Sequence, residues 1–424
     1  MAQALAILGG KPVRTRPMAS WPVFGPEEER ALVETLRSGK WGRIDGTRVA
    51  AFEKRFAEYQ GARYGVAVVS GTAALRIALL AAGIEAGDEV IVPDYTFIAT
   101  ASAVVESNAV PIFVDVEPGT CNIDPAAAEA AVTPRTRAII PVHFAGHVAD
   151  MDAICAIAKR HGLAVIEDAA HAHGAEHVGR RAGSLGDLGC FSFQSSKNLT
   201  GGEGGMVTTS DKALADAAWA AHNVGRIPGS AWYEHAVLGR NYRLSEFVAA
   251  ILDCQLDRLD EQTGRREANA AYLAAQLRQA PGIRASPRRP YATRHSYHLF
   301  MIRYDAGVCG APRAAFVEAL RAEGIPADQG YTVPLHRQPL FRDLRFGPYT
   351  GYRQSRPDLD YSRASCPVTE RACAGEVLWL PQWALLGSKG DMDDIAAACR
   401  KVYEHRDELR RAPLPSRANM EDHA

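Results

Sequence analysis

An α/β fold, with a mostly parallel sheet followed by a smaller α+β unit, is predicted by three features of the chain. Between about residues 60 and 210, short β-branched runs alternate with alanine-rich stretches of helical periodicity. The residues just after these runs are polar and glycine-rich, which is where an open parallel sheet binds its ligand. Beyond about residue 280 the alternation gives way to one strand-like segment, scattered helices and polar loops.

Taken in order, GVAVVS (65–70), EVIVP (89–93), PIFVDV (111–116), RAIIPVHF (137–144) and LAVIEDAA (163–170) read as strands. TAALRIALLAAG, FIATASAVVES, PAAAEAAV and DMDAICAIAKRHG, which lie between them, read as helices. GCFSF and GGMVTT (204–209) add two strands, a helix begins near Asp211, and two helical patterns cover about 244 to 280. The smaller unit has an alternating strand HSYHLFMIRY (295–304), a helix PRAAFVEALRAEG (312–324), and a last amphipathic helix near 390 to 411, followed by a polar tail. The division falls at 255: residues 1–255 form a large domain and 256–424 a small one.

The 424 residues are 47% hydrophobic and 23% charged, enough for two cores. Lys+Arg 48 against Asp+Glu 49 gives a net charge of −1, which favours neither nucleic acid nor an anionic membrane as a partner. The eight cysteines form no C-x-x-C pair, which suits reduced thiols and a cytoplasmic setting. The N-terminal apolar stretch is too short for a signal peptide, and no apolar run approaches about 18 residues, so neither secretion nor a membrane span is expected.

Three segments carry chemistry. In SGTAAL (70–75), Gly71 admits close backbone approach and Thr72 offers a hydroxyl at a helix start; this is an anion site, or else Ser70 or Thr72 simply caps the helix. In EDAAHAHGA (167–175), Asp168 ends a strand facing a cleft, where it could pair with a protonated ring nitrogen. A metal site from Asp168, His171 and His173 is the weaker alternative, and no metal is expected. In GCFSFQSSKNLTGGEGGMVTT (189–209), one lysine, Lys197, stands in a strand-end pocket before a glycine-rich loop. Desolvation there would favour the neutral amine that carbonyl chemistry needs. GGEGG lacks the G-K-[ST] ending of a P-loop. An anion-binding helix start, a strand-end carboxylate and a lysine 29 positions further on (197 minus 168) together meet the needs of pyridoxal 5′-phosphate.

Beyond these readings, the chain resembles the DegT/DnrJ/EryC1/StrS family of sugar aminotransferases, which share the aspartate-aminotransferase-like fold type I. The carriers are GGKPVR and WP, SGTAAL, PDYTFIATA, DVEPGTCNIDP, PVHFAGHVADMD, VIEDAAHAHGA, GDLGCFSFQSSKNLTGGEGG and GRNYRLSE. The resemblance implies a seven-stranded-type sheet in the large domain. It assigns Lys197 as the Schiff-base lysine, Asp168 as the partner of the ring nitrogen, Phe97 as the aromatic stacked on the ring, and His171 beside the phenolic oxygen. Gly71, Thr72 and Ser192 would hold the phosphate. Asn241 of a neighbouring subunit would help them, in a homodimer with shared active sites.

Dehydratase relatives carry His where this chain has Lys197, so the lysine points to transamination, with a pyridoxamine phosphate form between the half-reactions. Gln194 stands where many nucleotide-sugar members have His, and F-S-F-Q-x-x-K resembles the branch acting on keto-cyclitols or on aminohydroxybenzoate precursors. The expected function is amino transfer from glutamate or glutamine to a keto-cyclitol or keto-sugar, in aminoglycoside, amino-sugar or related secondary metabolism. The alternatives are an aminohydroxybenzoate-synthase-like dehydratase and a non-catalytic regulator on the same scaffold. Acceptor contacts are expected from Gln194, Tyr233 and His298, although the aromatic segment 225–242 suits dimer packing equally well.

Overall fold

Seven strands form the central sheet of the computed structural model, which describes residues 4–349, 351 and 356–411. They are β1 (Tyr64–Val68), β2 (Glu89–Pro93), β3 (Val110–Val114), β4 (Thr136–Ile139), β5 (Ala164–Asp168), then, past the two short strands β6 (Glu176–His177) and β7 (Arg180–Arg181), β8 (Leu188–Ser192) and β9 (Gly205–Thr209). Their spatial order is β1-β9-β8-β5-β4-β2-β3. All neighbours are parallel except β9, which runs antiparallel to both β1 and β8. Strands β2, β8 and β9 are buried along their whole length, as strands covered on both faces must be. The parallel α/β sheet expected from the sequence is present: EVIVP is β2 as expected, the other strands shift by one or two residues at their ends, and RAIIPVHF stops being a strand at Ile139.

Short polar residues set the helix starts, because their side chains accept the first free backbone N–H groups. Preceded by α1 (Pro26–Ser38) and α2 (Arg48–Gln60), helix α3 (Gly71–Ala81) is capped by Ser70, whose Oγ accepts from Ala73 N at 3.1 Å. After α4 (Ala99–Glu106), Asp124 caps α5 (Pro125–Ala130) and Asp150 caps α6 (Met151–His161). The basic Lys159, Arg160 and His161 lie in the last turn of α6, and Gly162 ends it at a φ of 66°. Asp211 caps α7 (Lys212–His222) and Ser245 caps α8 (Glu246–Leu277).

The two patterns expected over 244 to 280 are this one helix of 32 residues. Its ends serve different cores. Ala249, Leu252, Leu256 and Leu259 pack with Phe52, Phe56, Phe191 and Phe193, whereas Ala270, Leu273 and Leu277 pack with the second unit. The division expected at 255 therefore falls inside a continuous helix, and the handover between cores lies between Leu259 and Ala270. Leu5 belongs to the second core, and Glu323 Oε1 accepts from Ala6 N at 2.8 Å, so the N-terminal segment packs on the smaller unit.

That unit has a sheet of β10 (Ile283–Ala285), β12 (Leu299–Tyr304) and β13 (Val377–Pro381), in the order β10-β12-β13; β11 (Ala292–Arg294) pairs with β6 instead. Helices Arg313–Ala322 and Lys389–Glu404 cover the sheet, and the last expected helix is broken at His405, with a further turn at Arg406–Arg411. The strand expected from 295 begins only at Leu299: Tyr297 has a φ of 49°, which interrupts extended backbone. The expected polar tail after Arg411 lies outside the described residues. All eight cysteines are free thiols, and no helix among the described residues is long and apolar enough to cross a membrane.

One buried carboxylate organises the end of β5. Glu167, fully enclosed, accepts from Gly183 N, Leu185 N and Gly186 N, each at 2.7 Å, and from His143 Nε2 at 2.8 Å. Removing it would strand four donors away from water. Glu167→Ala should therefore cost about 3–5 kcal/mol of stability. In a denaturation melt this would appear as a clear drop in midpoint, whereas exposed Glu58→Ala should leave the midpoint within error; equal midpoints for the two variants would refute the assignment.

Candidate active site

A cavity of about 480 Å³ opens at the carboxyl ends of β1, β2, β5 and β8. Ser70, Gly71 and Thr72 form one wall, Thr96 and Phe97 a second, Asp168, Ala170 and His171 the floor, and Ser192, Gln194, Ser196 and Lys197 a third wall. His298, Leu299, Tyr331 and Trp379 of the smaller unit roof it, with Glu203 also in the lining. Most of the site residues expected within one subunit thus meet in one space: Gly71, Thr72, Phe97, Asp168, His171, Ser192, Gln194, Lys197 and His298.

The anion corner depends on a close approach. A Cβ on Gly71 would fall 2.7 Å from Ser192 Cβ, so only glycine lets the start of α3 lie against β8. Ser70 takes up Ala73 N, and the first internal bond is Ala74 N to Ser70 O. The N–H groups of Gly71 and Thr72 thus stand ahead of the helix's own ladder, beside the hydroxyls of Thr72 and Ser192. This is the donor set a phosphate requires.

Asp168 is buried. Its Oδ2 accepts from Thr100 Oγ at 2.8 Å and its Oδ1 from Ala170 N at 3.2 Å. Burial raises its pKa, while those two donors and the nearby Lys197 oppose the rise. Lys197 sits in the turn that follows β8, its N–H donating to Gln194 O at 2.9 Å. Burial lowers its amine from 10.5 to about 8, against the pull of Asp168 toward the charged form. An anionic partner for a ring nitrogen and a near-neutral amine are thus both accommodated: the carboxylate is held by hydrogen bonds, and the amine is desolvated.

Burial also lowers His171 well below the usual imidazole range. Its Nδ1 accepts from Ala145 N at 3.3 Å, which leaves Nε2 carrying the proton. His173, two residues on, lies instead among Phe56, Phe191 and Phe193, with burial pushing it down to about 3. The metal alternative of Asp168, His171 and His173 therefore lacks a common centre. Gln194 is engaged locally, its Oε1 accepting from Ser196 N at 2.8 Å and its Nε2 donating to Ser195 Oγ at 2.8 Å.

Two expected residues lie elsewhere. Tyr233 is 84% exposed on the irregular segment after α7 and does not line the cavity of its own chain; Asn241, also exposed, bridges to Asn223. Sequence reasoning missed Thr100, although Thr96 and Thr100 stand four apart in PDYTFIATA at the start of α4, with 3.1 Å between their hydroxyls. It also missed Tyr331 and Trp379, which no local pattern marks.

The fold and this lysine–carboxylate site define a class of enzyme, the aminotransferases. A match to the DegT/DnrJ/EryC1/StrS aminotransferase family runs over residues 23–400, and the chain belongs to that family. It is 42% identical over 422 residues to the L-glutamine:2-deoxy-scyllo-inosose aminotransferase of Streptoalloteichus tenebrarius, covering 96% of this chain and 99% of that protein. The enzyme of the same name from Micromonospora echinospora is 41% identical over 425 residues, covering 96% of this chain and 99% of that protein. Among solved structures, 3-amino-5-hydroxybenzoic acid synthase superposes with a TM-score of 0.83 at 35% identity, covering 92% of this chain and all of that one. DesV of S. venezuelae superposes with a TM-score of 0.79 at 34% identity, covering 94% and 100%.

The amine at Lys197 gives a direct pH test on the chain alone. Only the neutral amine reacts with an acylating reagent, so limiting acetic anhydride should label Lys197 along a curve with its midpoint near pH 8, read by peptide mass spectrometry. Asp168 favours the ammonium, so Asp168→Asn should move that midpoint downward; an unmoved or raised midpoint would refute the coupling.

Proposed function

We propose that this aminotransferase uses pyridoxal 5′-phosphate to move the amino group of glutamine onto a keto-cyclitol of the scyllo-inosose kind. The observation that carries the choice of acceptor is the cavity lining. Among the described lining residues Lys197 is the only cation, and the others that can hydrogen-bond are chiefly hydroxyls, one amide and neutral imidazoles. Such a surface suits an uncharged polyol better than a nucleotide sugar, whose diphosphate would call for arginines or lysines. The glutamine donor is supported by the names of the relatives at 41–42% identity.

The residues fit the cofactor, and the Gly71–Ser192 contact is the feature most specific to it. Gly71, Thr72 and Ser192 would hold the phosphate, Asp168 the ring nitrogen, Phe97 one ring face, His171 the phenolic oxygen through its Nε2–H, and Lys197 the aldehyde carbon. When bound, the cofactor supplies a carbonyl that takes up an amino group and a ring that withdraws electrons. Asp168, fixed by Thr100 and Ala170, would present its carboxylate where the ring nitrogen would bear its proton. Lys197 Nζ, once free, would take the proton from the substrate carbon bearing the amino group and deliver it to the carbon that had carried the aldehyde, a shuttle that suits a group titrating near neutrality. His298 and Trp379 cover the site and limit the entry of water.

A homodimer belongs to the same proposal. Phe97 at the cavity mouth is 56% exposed, and Trp232, Tyr233 and Leu238 expose large apolar surface on the segment that carries Asn241. A second copy would cover these surfaces and bring Asn241 to the phosphate of its neighbour.

Two experiments test the proposal. Lys197→Ala should abolish turnover, and borohydride reduction of the loaded wild-type chain should add the cofactor's mass to the Lys197 peptide; turnover like that of the wild type in the variant would reject the assignment. Mixing subunits of Lys197→Ala with Asn241→Asp should restore activity that neither variant has alone, because one site of each mixed dimer is intact. Mixtures as inactive as their parents would reject the shared site.

A further inference from the structure

The tautomers of the two imidazoles in the cavity are set by their partners. Asn198, next to Lys197, donates its Nδ2–H to Ser296 O at 2.6 Å. A backbone carbonyl can only accept, so the amide is oriented, and its Oδ1 faces His298 Nδ1 at 3.2 Å. Oδ1 can only accept in turn, so His298 Nδ1 carries the proton and Nε2 bears a lone pair. His171 is the reverse, as its Nδ1 accepts from Ala145 N and its Nε2 bears the proton. The two rings stack with centroids 4.2 Å apart and planes at 34°, both lining the cavity.

Both rings are buried, and each is held in the neutral form that these partners require. The backbone is committed to the arrangement. Ser296 Oγ donates to His171 O at 2.8 Å, Ser296 N donates to Gly146 O at 3.2 Å, and Tyr297 takes a φ of 49° to turn His298 inward. The cavity thus presents two imidazole edges of opposite sense, a donor at His171 and an acceptor at His298.

Given the functional reading above, on which this inference rests, we propose that His298 determines acceptor specificity. Its Nε2 accepts a hydrogen bond from a ring hydroxyl of the keto-cyclitol, while the donor edge of His171 stays turned to the cofactor. The lone pair accepts from any O–H or N–H; a keto-cyclitol presents hydroxyls around its ring, next to the reacting carbon, whereas glutamine's one side-chain donor is the amide at the far end of its chain. The interaction should therefore act chiefly on the acceptor half-reaction. A site built to bind a hydroxyl penalises an analogue lacking it, because the buried acceptor is then left unpaired.

The test uses the loaded enzyme and follows each half-reaction separately by the cofactor's visible absorbance. His298→Phe, which keeps a ring against His171, should lower kcat/KM for the keto-cyclitol by about 10- to 100-fold while the rate with glutamine changes by less than about twofold. His298→Gln, whose amide oxygen can accept in place of Nε2, should recover part of the loss. Among singly deoxygenated acceptors, one should be poor for the wild type and no poorer for His298→Phe. Calorimetric titration of a non-reacting cyclohexanehexol should show the same weakening in His298→Phe.

An acceptor kcat/KM unchanged in His298→Phe, or an equal fall in both half-reactions of both variants, overturns the proposal even where the wild type aminates keto-cyclitols. A wild-type enzyme that aminates none of them overturns the functional reading, and this inference with it.

Discussion

Two adjacent carboxylates at the end of β5 govern the architecture around them. Strand alternation sends Glu167 and Asp168 to opposite faces. Glu167 turns into the protein, where three backbone N–H groups of the 183–186 turn and the His143 ring converge on it. That turn leads directly into β8, so the carboxylate fixes the pairing of Ile166 with Leu188, Glu167 with Gly189 and Asp168 with Cys190. Register then determines the rest: Ser192 falls opposite the start of α3, and the turn after β8 places Lys197 within reach of the Asp168 charge. A slip of one residue would turn Asp168 into the core and Glu167 into the cavity.

The roof depends on a second group of carboxylates along the opposite half of the sheet. Asp94 accepts from His336 N at 2.8 Å and from His336 Nδ1 at 2.7 Å, while Asp115 accepts from Val368 N at 2.8 Å and Thr369 N at 2.9 Å. Glu89, at the start of β2, pairs with Arg356 at 2.6 Å. These bonds fasten the segment between Tyr331 and Trp379 onto the large unit, and Leu335, Phe341, Phe346 and Tyr361 sink into the same core as α3 and α4. Buried charges are costly to desolvate and gain little net stability, but they tolerate few alternative alignments. Their effect here is to hold Tyr331 and Trp379 over the cavity rather than on a freely hinged domain.

The parts legible in sequence share a physical cause. Parallel strands buried on both faces read as apolar runs, and the residues that end them must be polar wherever a ligand meets the sheet. Lys197, Asp168, Gly71 and Thr72 are legible from position, whereas Phe97, Ser192 and the role of His171 are expected only through the resemblance that the motifs around them carry. Thr100 carried a readable signal in its helical spacing from Thr96. Tyr331 and Trp379 carried none, because the pairing of β13 with β12 and the Asp328–Trp379 bridge bring them in from a distance. Helix α8 was read as two because its middle, DEQTGRREAN, crosses between cores with a polar surface, and Gly264 there meets only open space. The HSYH stretch imitated a strand by alternation, but its side chains alternate around a left-handed turn at Tyr297.

The histidines show why residue type and spacing alone could not assign roles here. His171 and His173 are two apart and equally buried, and each loses its charge to burial. The difference lies in what surrounds them: His173 is enclosed by phenylalanines, whereas His171 has one nitrogen fixed by the backbone and its other edge toward the cavity. Such neutral imidazoles matter to the charged pair beside them. With Glu203 the only further acidic side chain among the described lining residues, the attraction between Lys197 and Asp168 is little diluted by neighbouring groups. The lysine can then be lowered by burial yet stop near 8, where one amine serves as nucleophile when neutral and as proton donor when charged.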